Sequence, residues 1–261
     1  MTDTESVATS AHRFPTWPAC RLCPGVAIDL GSTRTRAWTQ GRRGIIDVPT
    51  VAFPDSRVTH PIRRGTIVDA DGTARMVERL LGGRIPRFTR PVVAFTTPVL
   101  SDRRHHTAAT EALEVLRPRT VLPVESARAI ALGARADLSR PLLVVDLGAH
   151  LTEVALLVDG TVSAARRTAL GTSDLDTTTP RGLVAEIAAM VTDMLRGSLV
   201  PHLVDALERG PLLGGGGALR PEVTYQLSLR LDTPIHPAPQ PHTAALRGAA
   251  EVLRSALRHP R

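Results

Sequence analysis

With 261 residues and 43% hydrophobic composition, the chain can bury a real core, which excludes global disorder and allows one large domain or two modest ones. The formal charge is +7 and all 32 basic residues are arginine. This is the bias of a GC-rich genome, so the charge favours anionic company without choosing among nucleotide, nucleic acid and lipid surface. Aromatics make up only 3%, leaving Leu, Val, Ala and Ile to build the core. No apolar run reaches the roughly 18 residues of a membrane span. The N-terminus starts acidic (Asp3, Glu5) without a hydrophobic signal core, so the expected location is cytoplasmic.

Residues 1–24 read as a flexible tail, rich in Ser, Thr and Pro and without a period. Cys20 and Cys23 form a lone C-x-x-C there, with His12 poorly placed to help. A structural zinc site needs about four ligands, so two free thiols in a reducing compartment are expected. Three strands follow, at Val26–Leu30, Thr35–Thr39 and Ile45–Phe53. A helix is expected over Asp71–Leu81, stopped by Gly82 and Gly83. Pro91–Thr96 reads as a buried strand, and Ser101 as the N-cap of a helix running to about Leu116. Strand Thr120–Val124 and the Ala-rich helix Ser126–Ala136 close this half. His105 and His106 are expected on a solvated helix face, and the sequence assigns no role to the Arg63–Arg64 and Arg166–Arg167 pairs.

The order then repeats. Strands are expected at Leu142–Leu147, Leu151–Val158 and Val162–Leu170, then helices at Arg181–Leu195 and Leu199–Glu208. A short strand at Pro211–Leu213, a helix at Ala218–Leu231, a strand at Pro234–His236 and a helix at Thr243–Leu257 end the chain. The pattern β-β-β-α-β-α-β-α thus occurs twice, with a boundary near Arg135–Arg140. It predicts an α/β protein with two units, 25–137 and 138–261, each a mixed sheet flanked by helices. The last helix returns towards the first unit, and the duplication is of whole domains rather than of a short repeat.

Three motifs carry the chemistry. I-D-L-G-S-T-R-T (Ile28–Thr35) and V-V-D-L-G-A-H-L-T-E (Val144–Glu153) each have an apolar strand, an Asp-Leu-Gly turn and a second strand. L-L-G-G-G-G-A-L (Leu212–Leu219) sets a glycine run between a strand and a helix. Glycine lets the backbone approach a ligand closely, and successive N–H groups in such turns form a concave anion site. An Asp at the strand end suits Mg²⁺, usually held through water. The basic flank of the last helix (Arg247, Arg254, Arg258) reads as a solvated face before it reads as a membrane or partner surface.

These motifs resemble those of the actin-like ATPases, and within them the chain is most similar to the bacterial rod-shape family of MreB. The likeness runs from about Gly25 to Leu257. It includes R-R-G-T-I-V-D-A-D-G-T-A-R-M-V (Arg63–Val77), P-V-E-S-A-R-A-I-A-L-G (Pro123–Gly133), A-L-G-T-S-D-L-D (Ala169–Asp176) and T-A-A-L-R-G-A-A (Thr243–Ala250). The resemblance implies two duplicated ribonuclease-H-like domains gripping Mg²⁺ and ATP. Asp29, Gly31, Ser32 and Thr33 would serve from the first hairpin, and Asp146, Gly148 and Thr152 from the second. Gly215, Gly216 and Gly217 would serve the nucleoside. Asp29 and Asp146 would orient the metal's water shell. The chain is short in two places, before Arg63 and after Asp176, where the family carries its outer subdomains. It thus resembles a reduced form that keeps the cleft floor without its side walls.

It also departs from the family. Arg34 replaces a small or amide residue and either contacts phosphate or, preferably, points to solvent. Ala149, His150 and Leu151 replace Gly, Gly and Thr, which reads as a degraded loop or, less favourably, as a His150 phosphate contact. The residue that polarises the attacking water falls at Ser126 rather than at a Glu. Glu125, one place earlier and about 100° round a helix, would recover the role only by a register shift. The base-clamping residues belong largely to the missing second outer subdomain. These departures weigh against hydrolysis more than against binding. The resemblance implies an ATP-binding protein of cell-shape or cell-wall morphogenesis. It would assemble with itself or with full-length MreB, cytoplasmic or peripheral at the inner membrane face, in contact with a morphogenetic membrane complex. Rival expectations are an ATPase-dead actin-fold interaction module and a small-molecule kinase of the same superfamily. Nucleic acid is not expected as a partner, because no reader motif is present.

Overall fold

The computed structural model describes residues 24–42, 44–54, 57–175 and 179–258. Cys20, Cys23 and all of the tail except Pro24 lie outside the described residues. The first half runs β1 (Gly25–Leu30), β2 (Arg34–Thr39), β3 (Ile46–Pro49), β4 (Ile62–Arg63), β5 (Thr66–Ile67), α1 (Ala70–Leu81), β6 (Val92–Thr97), α2 (Arg103–Leu113), β7 (Thr120–Glu125) and α3 (Ser126–Gly133). The second runs β8 (Leu142–Leu147), β9 (Thr152–Val158), β10 (Thr161–Thr168), α4 (Pro180–Met194), α5 (Val200–Arg209), β11 (Leu212–Gly214), α6 (Pro221–Leu231), β12 (His236–Pro237) and α7 (Ala244–Arg258).

Two five-stranded sheets carry the molecule, ordered β3-β2-β1-β6-β7 and β10-β9-β8-β11-β12. In both, three antiparallel strands are extended by two parallel ones across the first strand. This is a mixed α/β architecture, and the two orders correspond strand for strand. The central strands β1, β6 and β8 are buried on both faces, which explains their continuous apolar runs. Alternation then sorts their side chains. Val26, Ile28, Val93 and Phe95 share one core with Val77 and Leu81 of α1 and Ala109 and Leu113 of α2. Ala27, Val92 and Ala94 face the other way, onto Leu246, Ala249 and Leu253 of α7. In the second sheet, Leu143, Val145 and Leu147 pack with Leu183 and Ile187 of α4 and Leu227 of α6. Leu142 and Val144 pack with Ala127 and Ile130 of α3.

The inner helices are therefore exchanged: α3, from the first half, covers the second sheet, and α7, from the end of the chain, covers the first. They cross at Gly133 and Gly248. A Cβ on Gly133 would collide with the Ala244 carbonyl oxygen, and one on Gly248 with that of Ala129. Only glycine allows two helix backbones this close.

Some element ends differ from expectation for local reasons. Asp102, not Ser101, caps α2, its carboxylate accepting from the His105 N–H; the Ser101 hydroxyl instead meets His106 Nε2 at 3.1 Å. His105 is buried, so that face is not wholly solvated. Pro221 starts α6, and Gly216–Leu219 before it is a 3-10 turn rather than the helix start. The β4–β5 hairpin has two residues per strand and went unseen. The described residues of 50–61 hold one isolated bridge, Ala52 to Thr59. Residues 175–179 alone separate the turn Thr172–Asp174 from α4. No described helix is long and apolar enough to cross a membrane.

Candidate functional site

The two Asp-Leu-Gly turns close in the same way. The Gly31 N–H donates to the Arg34 carbonyl at 3.2 Å, and the Gly148 N–H to the Leu151 carbonyl at 3.0 Å. Each turn joins the first two strands of its sheet, so equivalent strand order brings both hairpin tips to the seam between the sheets. Between them opens a cleft of about 390 Å³. Its lining includes Asp29, Gly31, Ser32 and Thr33 from one side and Asp146 and Gly148 from the other, with Gly215 and Gly216 at one end. Gly215 has φ +83°, and a Cβ there would lie 2.8 Å from Asp146 Oδ1. Gly216 has open space around it.

Three carboxylates sit under the hairpins. Asp29 accepts from Thr96 Oγ1 at 2.6 Å and has Arg36 Nη1 at 3.7 Å. Burial raises its pKa against those two partners. Asp146 pairs in register with Glu153 across β8 and β9. Burial, then the Glu153 and Asp29 charges, push Asp146 up to about 7, with a Ser126 hydrogen bond opposing. Glu153 is 2% exposed and accepts from the Val99 N–H at 2.9 Å, the Leu100 N–H at 3.3 Å and the Ser126 hydroxyl at 3.2 Å. It thereby ties the second sheet to the segment after β6. Burial still raises its pKa above the usual range. Such a cluster of buried acids is short of positive charge.

Three of the residues named from sequence stand outside the cleft lining. Glu125 ends β7 in register with Thr97, and burial raises its carboxyl while Arg128 opposes. Ser126 occupies the lining instead. The Thr152 hydroxyl donates to the Leu170 carbonyl at 2.8 Å, fixing the loop after β10. A Cβ on Gly217 would strike Leu147, so this glycine serves packing beneath the loop. Arg34 is 42% exposed at the cleft edge, and its Nε donates to Asp47 Oδ1 on β3 at 2.7 Å. Ser32 Oγ accepts from the Gly65 N–H at 2.9 Å and so holds the β4–β5 turn at the cleft edge.

The altered second hairpin has a structural consequence. The Leu151 side chain sits where a Cβ on Gly65 would be. Beside it Arg64 crosses to the second half, its Nη2 lying 2.9 Å from Asp174 Oδ1 and its Nη1 donating to the Ala169 carbonyl. Leu151 and Arg64 thus close one side of the cleft mouth. His150, weighed from sequence as a phosphate contact, lines the cleft; Arg36, Thr96, Glu153, Arg220 and His242 also line it and were not named from sequence as site residues. His242 Nδ1 is buried without a hydrogen-bond partner among the described residues.

The residues present fit a Mg²⁺-nucleotide. Paired turns, an open glycine turn, an unsatisfied ring nitrogen and buried carboxylates are what a phosphorylated, metal-bearing ligand would satisfy. Among the described residues no three His, Cys, Asp or Glu side chains converge as a metal cage.

Comparison with known proteins gives the class. The model of the MreB/Mbl protein family matches residues 54–181. No curated protein sequence matches the chain. MreB5 of Spiroplasma citri bound to AMPPNP superposes with a TM-score of 0.81 at 15% identity, covering 91% of this chain and 98% of that one. Its ADP-bound structure gives 0.79 at 15% identity, covering 92% and 98%. The MamK double helical filament gives 0.70 at 14% identity, covering 88% and 98%. The protein shares the fold of these MreB5 and MamK structures. Its sequence is similar to the MreB/Mbl family over residues 54–181.

Proposed function

We propose that this chain binds Mg²⁺-ATP between its two sheets and takes part in cell-shape or cell-wall morphogenesis, assembling with itself or with full-length MreB. The sheets are then duplicated ribonuclease-H-like domains, residues 25–137 and 138–261, behind the tail of residues 1–24. The observation that carries the reading is the convergence of both Asp-Leu-Gly hairpins and the Gly215–Gly216 turn on one cleft floored by carboxylates. Asp29 and Asp146 hold the metal's water shell. N–H groups of the two hairpins, with Thr33, meet phosphate oxygens, and Gly216 and His242 receive the nucleoside. When bound, Mg²⁺ neutralises phosphate charge. The nucleotide-bound MreB5 structures and the MamK filament support this by fold likeness.

Hydrolysis is slow in this reading. The residue lining the cleft at the start of α3 is Ser126, whose hydroxyl is engaged by Glu153. A neutral hydroxyl is a poor base for activating water. A second reading, a scaffold that keeps the fold without turnover, is favoured by Leu151 and Arg64 at the cleft mouth. Sedimentation of the full chain with full-length MreB, with Mg²⁺-ATP, Mg²⁺-ADP or neither, tests the assembly claim. The chain is expected in the pellet with Mg²⁺-ATP only. If it stays in the supernatant while MreB pellets, co-assembly is refuted.

A further inference from the structure

A larger cavity lies away from the cleft. It has a volume of about 600 Å³ and is bounded by β2, the end of α3 and the outer half of α7. Its size falls in the range of small-molecule sites, roughly 300–1,000 Å³. Leu132, Leu246 and Ile45 supply apolar wall, and Trp38 an aromatic one. Among the described residues, three guanidinium groups, Arg135, Arg247 and Arg254, line it against a single carboxylate, Glu251.

The arginines are not equivalent. Arg254 is neutralised by Glu251 at 2.7 Å and lies over the Trp38 ring, 5.5 Å from its centroid. Its Nε is nevertheless buried without a hydrogen-bond partner among the described residues. A buried donor left unsatisfied costs on the order of 1–3 kcal/mol. Arg247 is fixed by neutral acceptors: the carbonyls of Gly133 (3.1 Å) and Pro239, and Gln240 Oε1 (3.0 Å). It has no carboxylate partner among the described residues, and burial together with the Arg135 charge pulls its pKa down. Arg135 is exposed at φ +57° and has no ion pair among the described residues. Two like charges therefore face one wall of the cavity uncompensated.

We propose that this cavity is a second ligand site, for a small organic anion with a flat apolar body. The body lies along Trp38 and Leu246. The anionic group, a carboxylate, phosphate or sulfonate, neutralises Arg135 and Arg247. The site touches both helices of the Gly133–Gly248 crossing, so an occupant is placed to bias how the two sheets sit about the cleft. Any such coupling to cleft ligands is reciprocal.

Anilinonaphthalene sulfonate is a suitable probe, being a flat aromatic anion whose emission can be sensitised by tryptophan. Titration of the full chain is expected to show one saturable site with transfer from Trp38, lost in Trp38→Phe, which retains Trp17. Arg135→Asn keeps a residue that tolerates the left-handed conformation and should weaken probe binding at least fivefold without changing the melting temperature. AMP and octanoate, as competitors, separate a heteroaromatic phosphate from a fatty carboxylate as the preferred class. Unchanged affinity in Arg135→Asn, or probe emission undiminished in Trp38→Phe, would overturn the proposal.

Discussion

Near pH 8 and without nucleotide, the Asp146→Asn variant is expected to melt roughly 8–16 °C above the unaltered protein. Asp146 titrates near 7 in the fold and near 3.8 unfolded, because burial and the Glu153 and Asp29 charges oppose its ionisation. The folded state therefore holds the proton more tightly. The stability this represents is fully present below pH 3.8 and is lost as pH rises through about 7. The difference is worth on the order of 4 kcal/mol when both states are ionised. Each kcal/mol moves the melting temperature of a chain this size by roughly 2–4 °C. An amide at the same position carries no charge and can donate to Glu153. Melting curves across pH check this: the gap between the two proteins should shrink by more than half near pH 5. A gap independent of pH would mean that the carboxylate is not the source. The cleft is thus built at a cost to the empty protein, which a bound cation would offset.

The second large effect is expected at the helix crossing. Gly248→Ala places a methyl group against the Ala129 carbonyl, and the α3 backbone cannot yield without shifting from the second sheet. Overpacking a buried site typically costs 1–3 kcal/mol, and a backbone obstacle puts this variant at about 3 kcal/mol or beyond. Gly83→Ala, with nothing within 4 Å of the added methyl, is the matched control and should melt like the parent. Chemical denaturation of both variants decides it. Equal midpoints would show that the helices do not cross at Gly248 as described.

Local patterns carried much of the fold. The Asp-Leu-Gly turns were legible because strand, turn and strand are contiguous, and they led to Asp29, Gly31, Asp146 and Gly148 in the cleft lining, as the glycine run led to Gly215 and Gly216. What escaped depends on distant pairing. Thr96 meets Asp29 across 67 positions, and Val99 meets Glu153 across 54. Glu153 looked like an ordinary strand residue until its partners after β6 were in view. Arg34 found Asp47 on β3, a partner that strand register alone provides. Thr152 and Gly217 carry the residue types of a phosphate loop, yet neighbouring loops turned them inward. The β4–β5 hairpin is too short for any period to register. The crossing of α3 and α7 is tertiary, and the sequence reading held only that the last helix returns towards the first unit.

The central claim is that the cleft holds Mg²⁺-ATP through Asp29 and its partner hairpin. Thermal unfolding with and without saturating Mg²⁺-ATP, on the parent and on Asp29→Ala, tests it most directly. A ligand at about 100 times its dissociation constant adds roughly 2.7 kcal/mol to the native state. The account predicts a clear upward shift in the parent that is absent in Asp29→Ala. No shift at millimolar Mg²⁺-ATP, or an equal shift in both proteins, would contradict it.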